Sequence, residues 1–168
     1  MAIKLLTHTH EDIDLFYTSD MISNMGLYNE MERGVACWST VKQVIENVPN
    51  YNAIVNAYSK KNNLERVAIL AAHGEEIKFN WHYFDGDSSS PIQNWINKMD
   101  GKYKALILNV CNPRNNSIKS KKSIILHPNG VISNRLLAQE VVPIELFLPG
   151  IGYIDSYMIE EEVKKLRE

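Results

Sequence analysis

The chain has 168 residues, enough for one domain that buries a full core without staples. Its formal charge of −2, from 18 basic and 20 acidic side chains, leaves no electrostatic footprint for nucleic acid or an anionic membrane, and no apolar stretch is long enough to span a bilayer. Apolar residues at 45% and charged residues at 23% are ordinary for a globular protein, so collagenous, disordered and disulfide-scaffold classes are set aside.

In chain order, Ile3 to Thr7 fits a first strand. From Asp12 to Tyr17 the residues Ile13, Leu15 and Tyr17 alternate with Asp14 and Phe16, which favours a second strand. Residues 19–32 mix Asn, Gly and Met and point to no element. Ser39-Thr40 offers an N-cap for a helix through Val41, Val44, Ile45 and Val48, broken by Pro49-Asn50, and Ile54, Val55 and Tyr58 suggest a second helical stretch ending near Lys60 to Asn63. Val67 to Ala72 is an apolar run of the kind that forms a strand buried on both faces of a parallel sheet. The alternation from Ile77 to Tyr83 predicts one strand of a projecting hairpin or sheet edge, with a turn at Asp85-Gly86-Asp87. Ser88-Ser89-Ser90-Pro91 predicts a helix start with Pro91 at the first helical position, and Ile92, Trp95, Ile96 and Met99 form its apolar face until Asp100-Gly101.

Tyr103 to Val110 is the next strand, so that strand, excursion, helix and strand compose a βαβ crossover with two parallel neighbours. Residues 112–122 are polar, carry Pro113 and form a loop; the basic cluster Lys119 to Lys122 is a solvated part of it. Ile124-Ile125-Leu126 makes a short third strand before a turn at Pro128-Asn129-Gly130, after which Val131-Ile132 could pair back. Leu136 to Val142 fits helix or strand, and Tyr157 to Arg167 fits a terminal helix with basic residues where they suit its dipole. The fold class is α/β: a single domain over residues 1–168, with a mostly parallel sheet flanked by helices.

Two residues stand out. His73 closes the first apolar run and Cys111 closes the second. At the carboxyl ends of two parallel neighbours they would face one cleft, where α/β sheets place their sites. A thiol beside an imidazole is a chemical pair, because the thiolate is the nucleophile and the imidazole can take or return its proton. Gly74 would let the backbone turn sharply, and its N–H together with that of Cys111 could point at one oxygen, which is what an oxyanion hole requires. Each residue alone also has an ordinary reading, a packed thiol and a polar strand cap.

The blocks Ile69-Leu70-Ala71-Ala72-His73-Gly74 and Leu106-Ile107-Leu108-Asn109-Val110-Cys111 resemble those of the caspase-like cysteine peptidases of clan CD, which include caspases, metacaspases, legumain, gingipains, separase and CHAT domains. The resemblance covers Arg66 to about Leu126. It implies a caspase-like domain, a Cys111–His73 dyad, an oxyanion hole from the Gly74 and Cys111 amides, and hydrolysis of a protein or peptide substrate through an acyl-enzyme. It implies a specificity pocket built from segments such as residues 124–133 and 34–40, and no metal or cofactor for the chemistry. Val110 stands before the cysteine and Asn112-Pro113 after it, where members often carry a small or acidic residue and a nearby glycine. This departure keeps a second reading in play, a caspase-like domain that does not cleave and serves as an interaction or assembly module. A third reading is an α/β domain with a structural Cys111.

Other candidates are weaker. His8 and His10 with Glu11 and Asp12 could hold a metal, or form a polar turn. His82 and Asp85 could line a pocket beside Trp81, or stand exposed on a hairpin. His127-Pro128 could add a polar group to the cleft, or mark an ordinary strand end. Trp38, Trp81 and Trp95 fit core or rim packing. Pro149-Gly150-Ile151-Gly152 lacks the spacing of a dinucleotide loop, and there is no Walker motif or zinc-type cysteine spacing. Cys37 and Cys111 form no C-x-x-C. The amino terminus has no long apolar h-region or cleavage site, so the expected compartment is the reducing cytoplasm with both thiols reduced; a disulfide is the alternative. No nucleic acid or membrane partner is expected, and a homo-oligomer is left open.

Overall fold

A computed structural model describes residues 4–8, 13–18, 66–111, 113–128 and 144–154, together with 161, 164 and 165. The helices expected over residues 39–48 and 54–60 and the segment 136–142 lie outside these residues, as do Cys37, Trp38 and His10; residues 161, 164 and 165 are helical, as expected.

The described strands are β1 (Lys4–His8), β2 (Ile13–Tyr17), β3 (Val67–Ala71), β4 (His73–Ile77), β5 (Asn80–Asp85), β6 (Ser88–Pro91), β7 (Ala105–Asn109), β8 (Ile124–Pro128), β9 (Ile144–Leu148) and β10 (Gly152–Ile154), with one helix of eight residues, α1 (Ile92–Met99). Seven strands form the main sheet in the order β1-β2-β3-β7-β8-β9-β10, and β4-β5-β6 form a small second sheet. β2, β3, β7 and β8 run parallel, as the apolar runs at 67–72 and 105–110 predict, while β1, β9 and β10 pair antiparallel at the two edges. The architecture is therefore α/β with a mixed sheet whose centre is parallel. It is richer in strand than expected, because Pro149 and Gly150 turn between two short strands in place of an irregular tail.

Both faces of the central strands are buried: Ala68, Leu70, Leu106 and Leu108 on one, Ile69, Ile107 and Leu126 on the other. Ile92, Trp95 and Ile96 of α1 pack on the first face, as the helical spacing predicts, and Phe16 of β2 meets Trp95 edge-on at 5.5 Å. The connection closes tightly behind the helix. The Asp100 carboxylate accepts the backbone N–H groups of Lys121 (2.6 Å), Lys122 (2.9 Å) and Ser123 (2.9 Å), and Ser123 Oγ donates to the Tyr103 carbonyl at 2.6 Å. These bonds register the amino ends of β7 and β8.

Two elements differ from the sequence expectation. Residues 77–83 are not one strand but two, turned at Lys78-Phe79, whose φ values of 50° and 67° are the pair of positive angles that a tight hairpin turn demands. Ile77 pairs with Asn80 across this turn and so shares a face with it rather than with Trp81 and Tyr83, and Phe79 stands exposed at the turn, so the odd-numbered alternation in the sequence does not mark one face. The serines at 88–90 do not start the helix. Their backbone pairs with β5, Asp85 with Ser88 through His82 with Pro91, and Pro91 ends this edge strand one residue before α1, where its missing N–H costs the ladder nothing.

Asp14 departs from the outward position that its alternation suggests. β2 lies inside the sheet and is buried on both faces, Ile13, Leu15 and Tyr17 on one and Asp14 on the other. The carboxylate is paired with the Arg66 guanidinium and accepts the Tyr103 O–H at 2.6 Å. Burial, and this donated bond, push the Tyr103 phenol above its ordinary range. Tyr103→Phe removes a hydrogen bond to a charged acceptor and is expected to cost about 2 kcal/mol in urea denaturation. Loss under about 0.5 kcal/mol would show that the carboxylate is satisfied without the Tyr103 hydroxyl.

Candidate functional site

The ladder between β3 and β7 pairs Ala71 with Asn109, and the Ala72 N–H reaches the Asn109 carbonyl at 3.5 Å. His73 and Cys111 each stand two residues beyond that last pair, His73 as the first residue of β4 and Cys111 just past the end of β7. The carboxyl edge of the sheet also carries Thr18 after β2 and His127 near the end of β8, both fully buried. The edge thus gathers the residues that the apolar runs single out, with His73 and Cys111 at intermediate exposure beside them.

Gly74 joins the two halves, for a different reason than expected. It is not among the glycines with positive φ, so no sharp left-handed turn depends on it. It belongs to β4, and a Cβ there would collide with Val110 Cγ1, lie 2.6 Å from the Cys111 carbonyl oxygen and 3.1 Å from Trp81 Nε1. The residue after His73 is therefore pressed against the main chain of Val110–Cys111, and only a residue with no side chain fits. A single residue, Ala72, separates β3 from β4, so the small sheet starts at the site and folds back over it.

Trp81 of β5 completes this contact. It is 1% exposed, and its indole N–H donates to the Cys111 carbonyl at 2.9 Å. Its own backbone N–H bonds Ser117 Oγ at 3.1 Å, and that hydroxyl donates to the Arg114 carbonyl at 2.7 Å. Arg114 in turn lies over the Phe79 ring, 5.6 Å from its centre, and 3.5 Å from Glu76. The loop following Cys111 contains a short 3₁₀ turn, Asn115–Ser117, and is fastened to the small sheet at both the Trp81 and Phe79 ends. Nothing in the sequence marks Trp81 apart from the other tryptophans. The one signal was its place eight residues after His73, on a strand that alternates.

His127 is in the edge but not in an open cleft. Its Nδ1 lies 2.9 Å from the Pro128 carbonyl, which only accepts, so Nδ1 carries the proton and Nε2 receives the Tyr153 O–H at 2.7 Å. The ring packs edge-on to Trp81 at 5.0 Å and to Tyr153 at 5.5 Å. Burial lowers its pKa to about 4, against a smaller upward pull from the Pro128 carbonyl, so it is a neutral imidazole at physiological pH. His82 is half-buried on β5 opposite Glu75, and its buried Nδ1 has no hydrogen-bond partner among the described residues. Among the described residues no group of three or more His, Cys, Asp or Glu is placed to hold a metal; His8 ends β1, and His10, Glu11 and Asp12 lie outside them.

A cavity of about 740 Å³ lies between the polar side of α1 and residues 119–122, lined by Gln93, Asn97, Lys119 and Lys122 among others. It opens at the amino-terminal edge of β7 and β8, away from His73 and Cys111. Among the described residues no helix is long and apolar enough to cross a membrane. Comparison of the chain with protein-family models, with curated proteins and with solved structures finds no match.

Proposed function

We propose that this chain is a caspase-like cysteine endopeptidase with Cys111 as nucleophile and His73 as its acid–base partner. One observation carries the reading: Gly74, the residue after His73, is packed against the Val110 side chain and the Cys111 carbonyl at the carboxyl edge of two adjacent parallel strands. Gly74 and Cys111, 37 positions apart in sequence (111 − 74), meet there because the crossover returns beside its origin.

The Cys111 thiolate adds to the carbonyl carbon of a peptide bond, and the carbonyl π electrons move onto oxygen, towards the Gly74 and Cys111 amides. The oxyanion collapses as the C–N bond breaks, and His73 gives its proton to the leaving amine. Water then adds to the thioester, His73 takes its proton, and the carboxylic acid leaves as the Cys111 thiolate is restored. No metal enters these steps. The substrate is a protein or peptide, and the setting is a reducing, cytoplasmic one in which the thiol persists.

Iodoacetamide alkylation of the native protein against pH, read at Cys111 and Cys37 by mass spectrometry, tests this. Cys111 is expected to react with a midpoint roughly one to two units below the ordinary thiol value near 8.5, and His73→Ala is expected to move that midpoint back up. A Cys111 that stays inert until the protein unfolds would remove the peptidase reading and favour the non-cleaving interaction module.

A further inference from the structure

The main-chain ladder that holds β7 in place ends at the Ala72–Asn109 bond. Beyond it, the direction of the Cys111 side chain and of its amide depends on what grips residues 110 and 111. Among the contacts that hold them are Gly74 pressed against the Val110 side chain and the Cys111 carbonyl, and the Trp81 indole bonded to that carbonyl. Trp81 is itself held from three sides: its backbone by Ser117, its ring edge by His127, its strand by the β4–β5 ladder that pairs Trp81 with Glu76. Core packing alone asks only for a large ring at this position. What the indole adds is a donor at a fixed point.

We infer that Trp81 is a positioning residue for Cys111, its indole N–H fixing the Cys111 carbonyl and thereby aiming the Cys111 amide at the oxygen on which charge develops. The inference rests on the reading of Cys111 as the nucleophile. Oxyanion donors act only when already placed, so a carbonyl free to swing costs rate without changing the acidity of the thiol.

Two reactions at the same sulfur separate this role from a structural one. Alkylation by iodoacetamide needs the thiolate alone, since Sγ displaces iodide at a saturated carbon. Acetylation by p-nitrophenyl acetate passes through an oxyanion: the Sγ–C bond forms, the π pair moves onto oxygen, then returns as the bond to p-nitrophenolate breaks. Both rates are followed at Cys111 by peptide mapping in wild type, in Trp81→Phe, and in protein carrying 3-benzothienylalanine at position 81, which keeps the bicyclic shape and lacks the N–H. Acetylation is expected to fall about tenfold or more in both variants, while alkylation and its pH midpoint stay within about twofold of wild type. An acetylation-to-alkylation ratio unchanged in the benzothienyl protein overturns the inference, and that isostere keeps the test decisive where Trp81→Phe fails to fold. Failure of the underlying peptidase reading looks different. The wild-type ratio then equals that of N-acetylcysteine and does not respond to His73→Ala, which overturns both readings together.

Discussion

Gly74→Ala is expected to lower stability by about 3 kcal/mol, at the upper end of what overpacking costs. The added methyl would meet Val110 and the Cys111 carbonyl oxygen, and neither yields readily. Valine is stiff at χ1, and the carbonyl is main chain already bonded to Trp81. Relief requires β4 to lift away from residues 110–111. With a urea slope near 2 kcal/mol/M, the midpoint falls by roughly 1.5 M. Val110→Ala in the same chain removes one of the two collisions, so the double variant is expected to recover part of the loss and the cycle to be non-additive. A midpoint within about 0.3 M of wild type would mean that β4 sits farther from β7 than the geometry gives. Cys111 alkylation in the Gly74→Ala protein is expected to lose its dependence on His73, because the methyl separates the two halves of the site.

Acid is expected to destabilise the protein through His127, and by a comparable amount. The imidazole is buried and neutral with a pKa of about 4, whereas in the unfolded chain it returns to the ordinary value of 6.5. Between those values the unfolded state binds the proton and the folded state does not. The stability present above pH 6.5 is therefore lost as the pH falls to about 4, and no further loss from this group follows below that. The shift corresponds to about 3 kcal/mol. The check is urea denaturation at intervals from pH 7.5 to 4 in wild type and in His127→Phe. The variant is expected to lose the His127 part of the slope whatever its absolute stability, and parallel profiles in the two proteins would place the acid sensitivity elsewhere.

The parallel centre of the fold is legible because burial on both faces demands continuous apolar residues. Val67 to Ala72 and Ala105 to Val110 have no other good use, and the polar residues that end them, His73 and Cys111, mark the edge. The face of α1 is legible for the same reason, from the spacing of Ile92, Trp95 and Ile96. What escapes the sequence is set by neighbours distant in the chain. The turn at Lys78-Phe79 has neither Asn nor Gly to announce its positive φ angles, and only the pairing of β4 with β5 imposes them. Gly74 is recognisable as a glycine with a purpose, but its purpose is space beside Val110, which no local pattern encodes. Trp81 and His127 look like packing and a strand end because the hydrogen bonds that set them apart, to Cys111 and to Tyr153, reach across the fold.

The small sheet has a further consequence for how the molecule assembles. Its three strands follow one another directly between His73 and Pro91, whereas the parallel ladder must join Ile13 to Val67 and Val67 to Ala105. Chain-closure entropy falls on the ladder, and hairpins form orders of magnitude faster than such distant pairings. The part of the site that comes from β4 and β5, with Gly74 and Trp81 on it, is thus the part that topology allows to form early. On this topology the cysteine is expected to arrive afterwards, when β7 closes against β3, with the donor to its carbonyl already on the small sheet.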